Sequence, residues 1–79
     1  MSVNPDEYLV VGPRSFGGAI REFRNRKNFT QQEVAERADM HRTYLAALEN
    51  GSATEALQRI MRAINALDLE VVIRPKQPR

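Results

Sequence analysis

Few side chains in this sequence have the types and spacing that chemistry requires. His41 is the sole histidine, and no serine or cysteine is recognisably paired with it as a nucleophile. A polar residue at a helix start accounts for it better than a catalytic base does. Glu33 and Glu36 stand about one helical turn apart, as paired carboxylates can, but a solvated helix face explains them without any reaction. Gly17 and Gly18 belong to neither G-x-x-x-x-G-K-S/T nor G-x-G-x-x-G, so they form no recognisable phosphate loop. The chain has no cysteine, which rules out disulfides and thiolate metal sites, and one histidine leaves zinc without a ligand set. No catalytic residue, metal or cofactor is therefore expected, and the chain is not expected to be an enzyme. The informative stretch is Phe29–Gly51, FTQQEVAERADMHRTYLAALENG, which reads as a capped helix, a short turn and a second short helix. That is a geometry able to set a helix in the DNA major groove. Any pair of antiparallel helices shares the periodicity, so a protein-interaction module stays open beside a DNA reader.

The elements that must position this stretch follow from periodicity and caps. A first helix is expected over about 16–27, with Ser15 as N-cap and Phe16, Ile20 and Phe23 on one face. Gly17 and Gly18 weaken its start by roughly 1 kcal/mol each relative to alanine. Asn28 falls where the chain must turn left-handed. The second helix opens on a capping box, Thr30 to Glu33, and offers Val34, Ala35 and Ala38 as a small-residue face ending at Asp39. A third is expected over 42–49, with His41 at its start, Leu45 and Leu48 inward, and Asn50-Gly51 closing it. A fourth is expected over about 54–67, burying Leu57, Ile60, Met61, Ile64 and Leu67, with Ser52 and Glu55 readable as another capping box. The period then changes. Residues 69–74 read as a short strand with Leu69, Val71 and Ile73 on one face, opposite Glu70, Val72 and Arg74. A lone strand needs a hydrogen-bonding partner from elsewhere. Residues 1–14 read as an arm whose Tyr8–Val11 run is extended or an edge strand, and 75–79 as a frayed tail.

The residue choices in these elements resemble the lambda-repressor-like, or Xre, family of helix-turn-helix proteins over about residues 15–68. Thr30-Gln31 with Glu33-Val34-Ala35 is similar to the family's "TQxELA" opening. Arg42-Thr43-Tyr44-Leu45 and Leu48-Glu49-Asn50-Gly51 resemble its recognition helix and "IENG" ending. Asn28, Asp39 and Asp68 stand where the family commonly has glycine, and each tolerates a left-handed backbone. Ala46 and Ala47 stand where it often has polar base-reading residues. The resemblance implies a DNA-contacting set of Thr30, Gln31, Gln32, His41, Arg42, Thr43, Tyr44, Ala47 and Asn50. Within it Gln31 and Asn50 match phosphate-contacting positions, and Arg42 and Thr43 match base-facing ones; Tyr44 either packs or touches DNA. It also implies an ion pair between Arg24 and Glu49. The ending Ala66–Pro75 resembles the "ALGLELxLxP" close of HipB-like antitoxins. That implies a homodimer joined through Leu69, Val71, Val72 and Ile73, and a HipA-like kinase toxin as partner.

Length and charge agree with a small recognition domain. The 79 residues carry a formal net charge of +2, which permits nucleic acid and demands nothing. Basic residues gather in 14–28, as Arg14, Arg21, Arg24, Arg26 and Lys27, and again toward the end of the chain. No apolar run approaches the roughly 18 residues of a membrane span and no signal-peptide core is visible. With the lack of cysteine, this makes a cytoplasmic, membrane-free protein the expectation. A core of this size rarely supplies more than roughly 3–5 kcal/mol, so oligomerisation is a natural additional source of stability. The reading is an all-α, lambda-repressor-like bundle of about four helices: an arm (1–14), a DNA-binding domain (15–68), a dimerising strand (69–74) and a tail (75–79). Its function is that of a homodimeric repressor on double-stranded operator DNA. The antitoxin of a HipBA-like system is the more specific form. The alternatives are a stand-alone regulator and an interaction module that no longer reads DNA.

Overall fold

Each helix end in the computed structural model obeys local chemistry written in the sequence. Residues 6–52 and 54–77 are described, in the order β1 (Tyr8–Val10), α1 (Pro13–Arg26), α2 (Gln31–Arg37), α3 (Arg42–Glu49), α4 (Glu55–Ala66) and β2 (Val71–Ile73). The parts of the expected arm and tail at 1–5 and 78–79 lie outside the described residues. Thr30 caps α2, accepting from the Glu33 N–H at 3.1 Å, while Glu33 Oε1 accepts from the Thr30 N–H at 2.8 Å. His41 caps α3, its Nδ1 accepting from the Thr43 N–H at 3.4 Å. At the other ends Asn28, Asp39, Gly51 and Asp68 all take positive φ, 57°, 54°, 85° and 57°. After α2, for example, Asp39 N–H reaches Glu36 O and Met40 N–H reaches Ala35 O. The same paired bonds close α1, α3 and α4, so one C-terminal motif stops all four helices.

Several boundaries differ from expectation. Helix α1 begins at Pro13 with Gly12 as N-cap, three residues earlier than the serine cap implied. Proline suits the first helical position because its missing N–H has no partner there and its φ is already helical. Ser15 instead sits in the first turn, where its Oγ accepts from the N–H groups of Val11 and Gly12 at 2.8 and 3.1 Å. Residues 13 and 14 of the expected arm are thus helical, and Tyr8–Val10 is a strand. For α4 the cap is Thr54, which accepts from the Leu57 N–H at 3.2 Å, and not Ser52.

The C-terminal strand finds its partner in its own chain. β2 pairs antiparallel with β1 in the register Tyr8–Ile73, Leu9–Val72 and Val10–Val71, and Arg74 Nη1 donates to Glu7 Oε2 at 3.2 Å beside it. The fold is therefore four helices with a small two-stranded sheet. Pairing with a second copy is not needed to satisfy this edge, although β2 keeps an outer edge. Val10, Ala19, Ala35, Leu45 and Met61 are the buried apolar side chains, and Tyr8, Phe16, Leu57, Ile64, Val71 and Ile73 pack against the cluster of Val10, Ala19 and Met61. Leu69 lies before the strand, its N–H held by Ile64 O in closing α4, and its side chain is exposed. Three other expected core positions also face out. Ile60 on α4 and Leu67 at its C-cap are 55% and 69% exposed, and Ala38 is exposed at the C-cap of α2. No helix among the described residues is long and apolar enough to cross a membrane.

Candidate nucleic-acid interface

One stripe of α1 sets the position of α3. Gly17, Arg21 and Arg24 recur at i, i+4 and i+7 and so share a face. A Cβ on Gly17 would stand 2.0 Å from the Leu48 carbonyl oxygen, so the two backbones touch where only hydrogen fits. Arg21 Nη2 donates to Asn50 Oδ1 at 2.7 Å and to the Glu49 carbonyl at 3.3 Å. Arg24 clasps the Glu49 carboxylate with both arms of its fork, Nε to Oε2 at 2.7 Å and Nη2 to Oε1 at 2.9 Å. Its remaining nitrogen, Nη1, donates to the Phe29 carbonyl at 2.7 Å, at the turn into α2. The Glu49 side chain is fully buried and that of Arg24 is 13% exposed.

The network reaches the surface through α2. Gln31 Nε2 donates to Glu49 Oε1 at 3.1 Å, and Gln31 Oε1 accepts from Arg42 Nη1 at 3.3 Å. An ionised carboxylate can only accept, so it turns the amide nitrogen of Gln31 inward and its carbonyl toward Arg42. The Arg24 hydrogen bonds, then that of Gln31, hold the Glu49 carboxyl below its ordinary range against the opposing effect of burial. The same contact raises Arg24 above its already basic value. Five polar side chains from three helices thus hang on one buried charge.

The expected DNA-contacting residues lie along this network and outward from it. Thr30, Gln31 and Gln32 stand at the start of α2, with Gln32 Nε2 donating to Glu36 at 3.3 Å on the exposed side. His41, Arg42, Thr43 and Tyr44 stand at the start of α3, all exposed, and Ala47 follows one turn later, exposed as well. Asn50 caps α3 with its Oδ1 on Arg21. Tyr44 both packs and projects: it is 51% exposed and lines an open groove with Phe16, Leu48 and Leu57. Of the residues expected at a dimer contact, Val71 and Ile73 are half-buried against the core of their own chain, whereas Leu69 and Val72 are exposed. Arg21 and Gly17 were absent from the expected site. Their signal was present, as the residues three and seven places before Arg24 on its own helix face.

The helix-turn-helix family matches residues 20–73 of the chain. The chain is a helix-turn-helix protein. It falls in the lambda-repressor-like branch of that family, whose members are DNA-binding transcriptional regulators. It is 40% identical over 66 residues to the ImmF control region 10 kDa protein of Bacillus phage phi105, covering 80% of this chain and 72% of that one. It is 32% identical over 56 residues to control protein C.BamHI of Bacillus amyloliquefaciens, covering 70% and 69%. No solved structure matches it. In this helix-turn-helix protein the motif is α2, the turn at Asp39 and α3, braced from behind by the arginines of α1.

Proposed function

We propose that the protein is a stand-alone homodimeric repressor that occupies a near-palindromic operator in its own control region, with α3 of each copy in the major groove. The observation that carries this is the chain of contacts from buried Glu49 through Gln31 to Arg42. It holds an exposed arginine ready at the first turn of the helix that the family lays along DNA. Arginine presents a two-pronged donor that matches the O6 and N7 of guanine. The two relatives, one named for a phage control region and the other as a control protein, support the stand-alone form. In a dimer the half-sites stand about 34–36 Å apart, or a multiple of that. The outer edge of β2 and the exposed Ile60, Leu67 and Leu69 offer the surfaces for a second copy.

The test is selection of duplexes from a random library by the full chain, followed by titration of the enriched sequence and of random DNA at several salt concentrations. A palindromic consensus, bound by a dimer in the ultracentrifuge, is expected. Arg42→Ala should weaken the operator far more than random DNA. Equal affinity for enriched and random duplexes, or a monomer on the operator, refutes the proposal. The antitoxin form is a second reading, favoured by the ending Ala66–Pro75. Co-expression with the neighbouring gene product decides it. A kinase that co-purifies and loses its activity supports the antitoxin, and a lone homodimer supports the stand-alone repressor.

A further inference from the structure

The outward face of α3 carries one charged group, Arg42, and beyond it the methyls of Thr43 and Ala47 and the ring of Tyr44. Arg42 stands at its start, held by Gln31. The Thr43 hydroxyl lies 2.8 Å from His41 Nδ1, which engages its proton and leaves the γ-methyl, beside the oxygen's acceptor lone pairs, to meet a ligand. Tyr44 and Ala47 are exposed. Ala47 stands four residues from Thr43 and three from Tyr44, so the three share one surface. That surface runs into an open, mainly apolar groove of about 370 Å³ between α3, α1 and the start of α4. Because it is continuous with Arg42, whatever Arg42 touches in a major groove has its neighbours against this mainly apolar surface.

Base edges in the major groove are mostly donors and acceptors, and each would be dehydrated against alanine and a tyrosine ring without a replacement bond. Thymine is the exception, since it presents a C5-methyl there. We propose that Thr43, Tyr44 and Ala47 recognise thymine through that methyl, beside a guanine read by Arg42. Each half-site then joins a guanine to adjacent thymines. The alanine at 47, which in the sequence looks like a lost reading position, becomes a reader of methyl groups. This rests on the operator-binding reading above and specifies the bases it takes.

Deoxyuridine differs from thymidine only by the missing methyl, so it isolates the contact. In the operator enriched by the full chain, thymidines are replaced by deoxyuridine one position at a time and binding is measured by fluorescence anisotropy. Each contacted position should bind about fourfold more weakly, the worth of one buried methyl. Thr43→Ser keeps the hydroxyl against His41 and removes only a methyl, and Ala47→Gly removes another. Each variant should abolish the uracil penalty at one position, with thermal melting confirming that it is folded. If Ala47→Gly does not fold, Thr43→Ser decides alone. A fully uracil-substituted operator that binds as tightly as the thymidine one overturns the proposal, as do penalties unchanged in the folded variants. A library that yields no enriched sequence overturns operator binding itself, whereas enrichment without any uracil effect overturns the methyl reading alone.

Discussion

Replacing Glu49 by alanine strips the network of its only buried charge acceptor. The Arg24 guanidinium, 13% exposed, is left facing an empty site, and Gln31 and Arg21 each lose a contact. Breaking a buried pair by removing one partner costs roughly 3–5 kcal/mol, because the surviving charge stays desolvated. A domain of this length has about 4–12 kcal/mol in all, at 0.05–0.15 kcal/mol per residue. Glu49→Ala therefore removes a large share of the stability. With a urea m-value of about 1 kcal/mol/M, the midpoint of unfolding followed by circular dichroism should fall by about 3–5 M, or the chain should be unfolded from the outset. Glu49→Gln, which can still accept from Arg24, should lose less, about 1.5–3 kcal/mol. The double variant Arg24→Leu with Glu49→Leu should recover part of the loss, since neither charge is then buried. A loss below about 1 kcal/mol for Glu49→Ala refutes the reasoning, for that is how a solvent-exposed pair behaves.

The pH dependence follows with its sign fixed. Glu49 is held below its ordinary value first by the Arg24 hydrogen bonds, so its stabilisation is complete above the unfolded value of about 4.3. It is lost as pH falls through the lower folded value, and acid unfolding of Glu49→Gln should lack that part of the slope. Gly17→Ala places a Cβ 2.0 Å from the Leu48 oxygen; the helices must part, and melting should show a loss of about 1–3 kcal/mol despite alanine's better helix propensity. Gln31→Ala frees Arg42 from its tether and should weaken the operator roughly tenfold, about 1.4 kcal/mol, with less effect on random DNA and little change in salt slope, because no charge is removed. Asp39→Gly relieves a side chain at φ 54° and should raise stability by up to about 1 kcal/mol; a fall in melting temperature would show that the Asp39 side chain stabilises this turn.

Chain order and helix ends were legible because they depend on local chemistry. Thr30 with Glu33 caps α2, His41 caps α3, and three polar residues take the left-handed turn that glycine makes elsewhere in the family. The start of α1 was misplaced because serine is favoured at both the cap and the first turn, and only the extended Gly12 before Pro13 distinguishes them. The stripe on α4 was too wide, since period alone cannot say how many of Leu57, Ile60, Met61, Ile64 and Leu67 the rest of the chain can cover. Of these five, only Met61 is buried. β1 was open to two readings because three residues carry little periodic signal. Its pairing with β2 joins positions 65 apart at Tyr8 and Ile73, a distance across which a sequence gives no direct signal.

On the proposed reading, stability and base recognition meet in one network of side chains, and this limits how the recognition surface can vary. Arg24 and Gly17 fix where α3 lies, and Glu49 carries that constraint to Gln31 and so to Arg42. Changing any of these alters the fold and the reading together. Thr43, Tyr44 and Ala47 lie outside the chain of contacts to Glu49; they are exposed, and none of their side chains hydrogen-bonds to that carboxylate. Substitution there changes what the groove meets without touching the contacts that join α1 and α2 to Glu49. On that reading, a protein with this frame can acquire a new operator by exchanging those positions, while Gly17, Arg24 and Glu49 keep α3 in place.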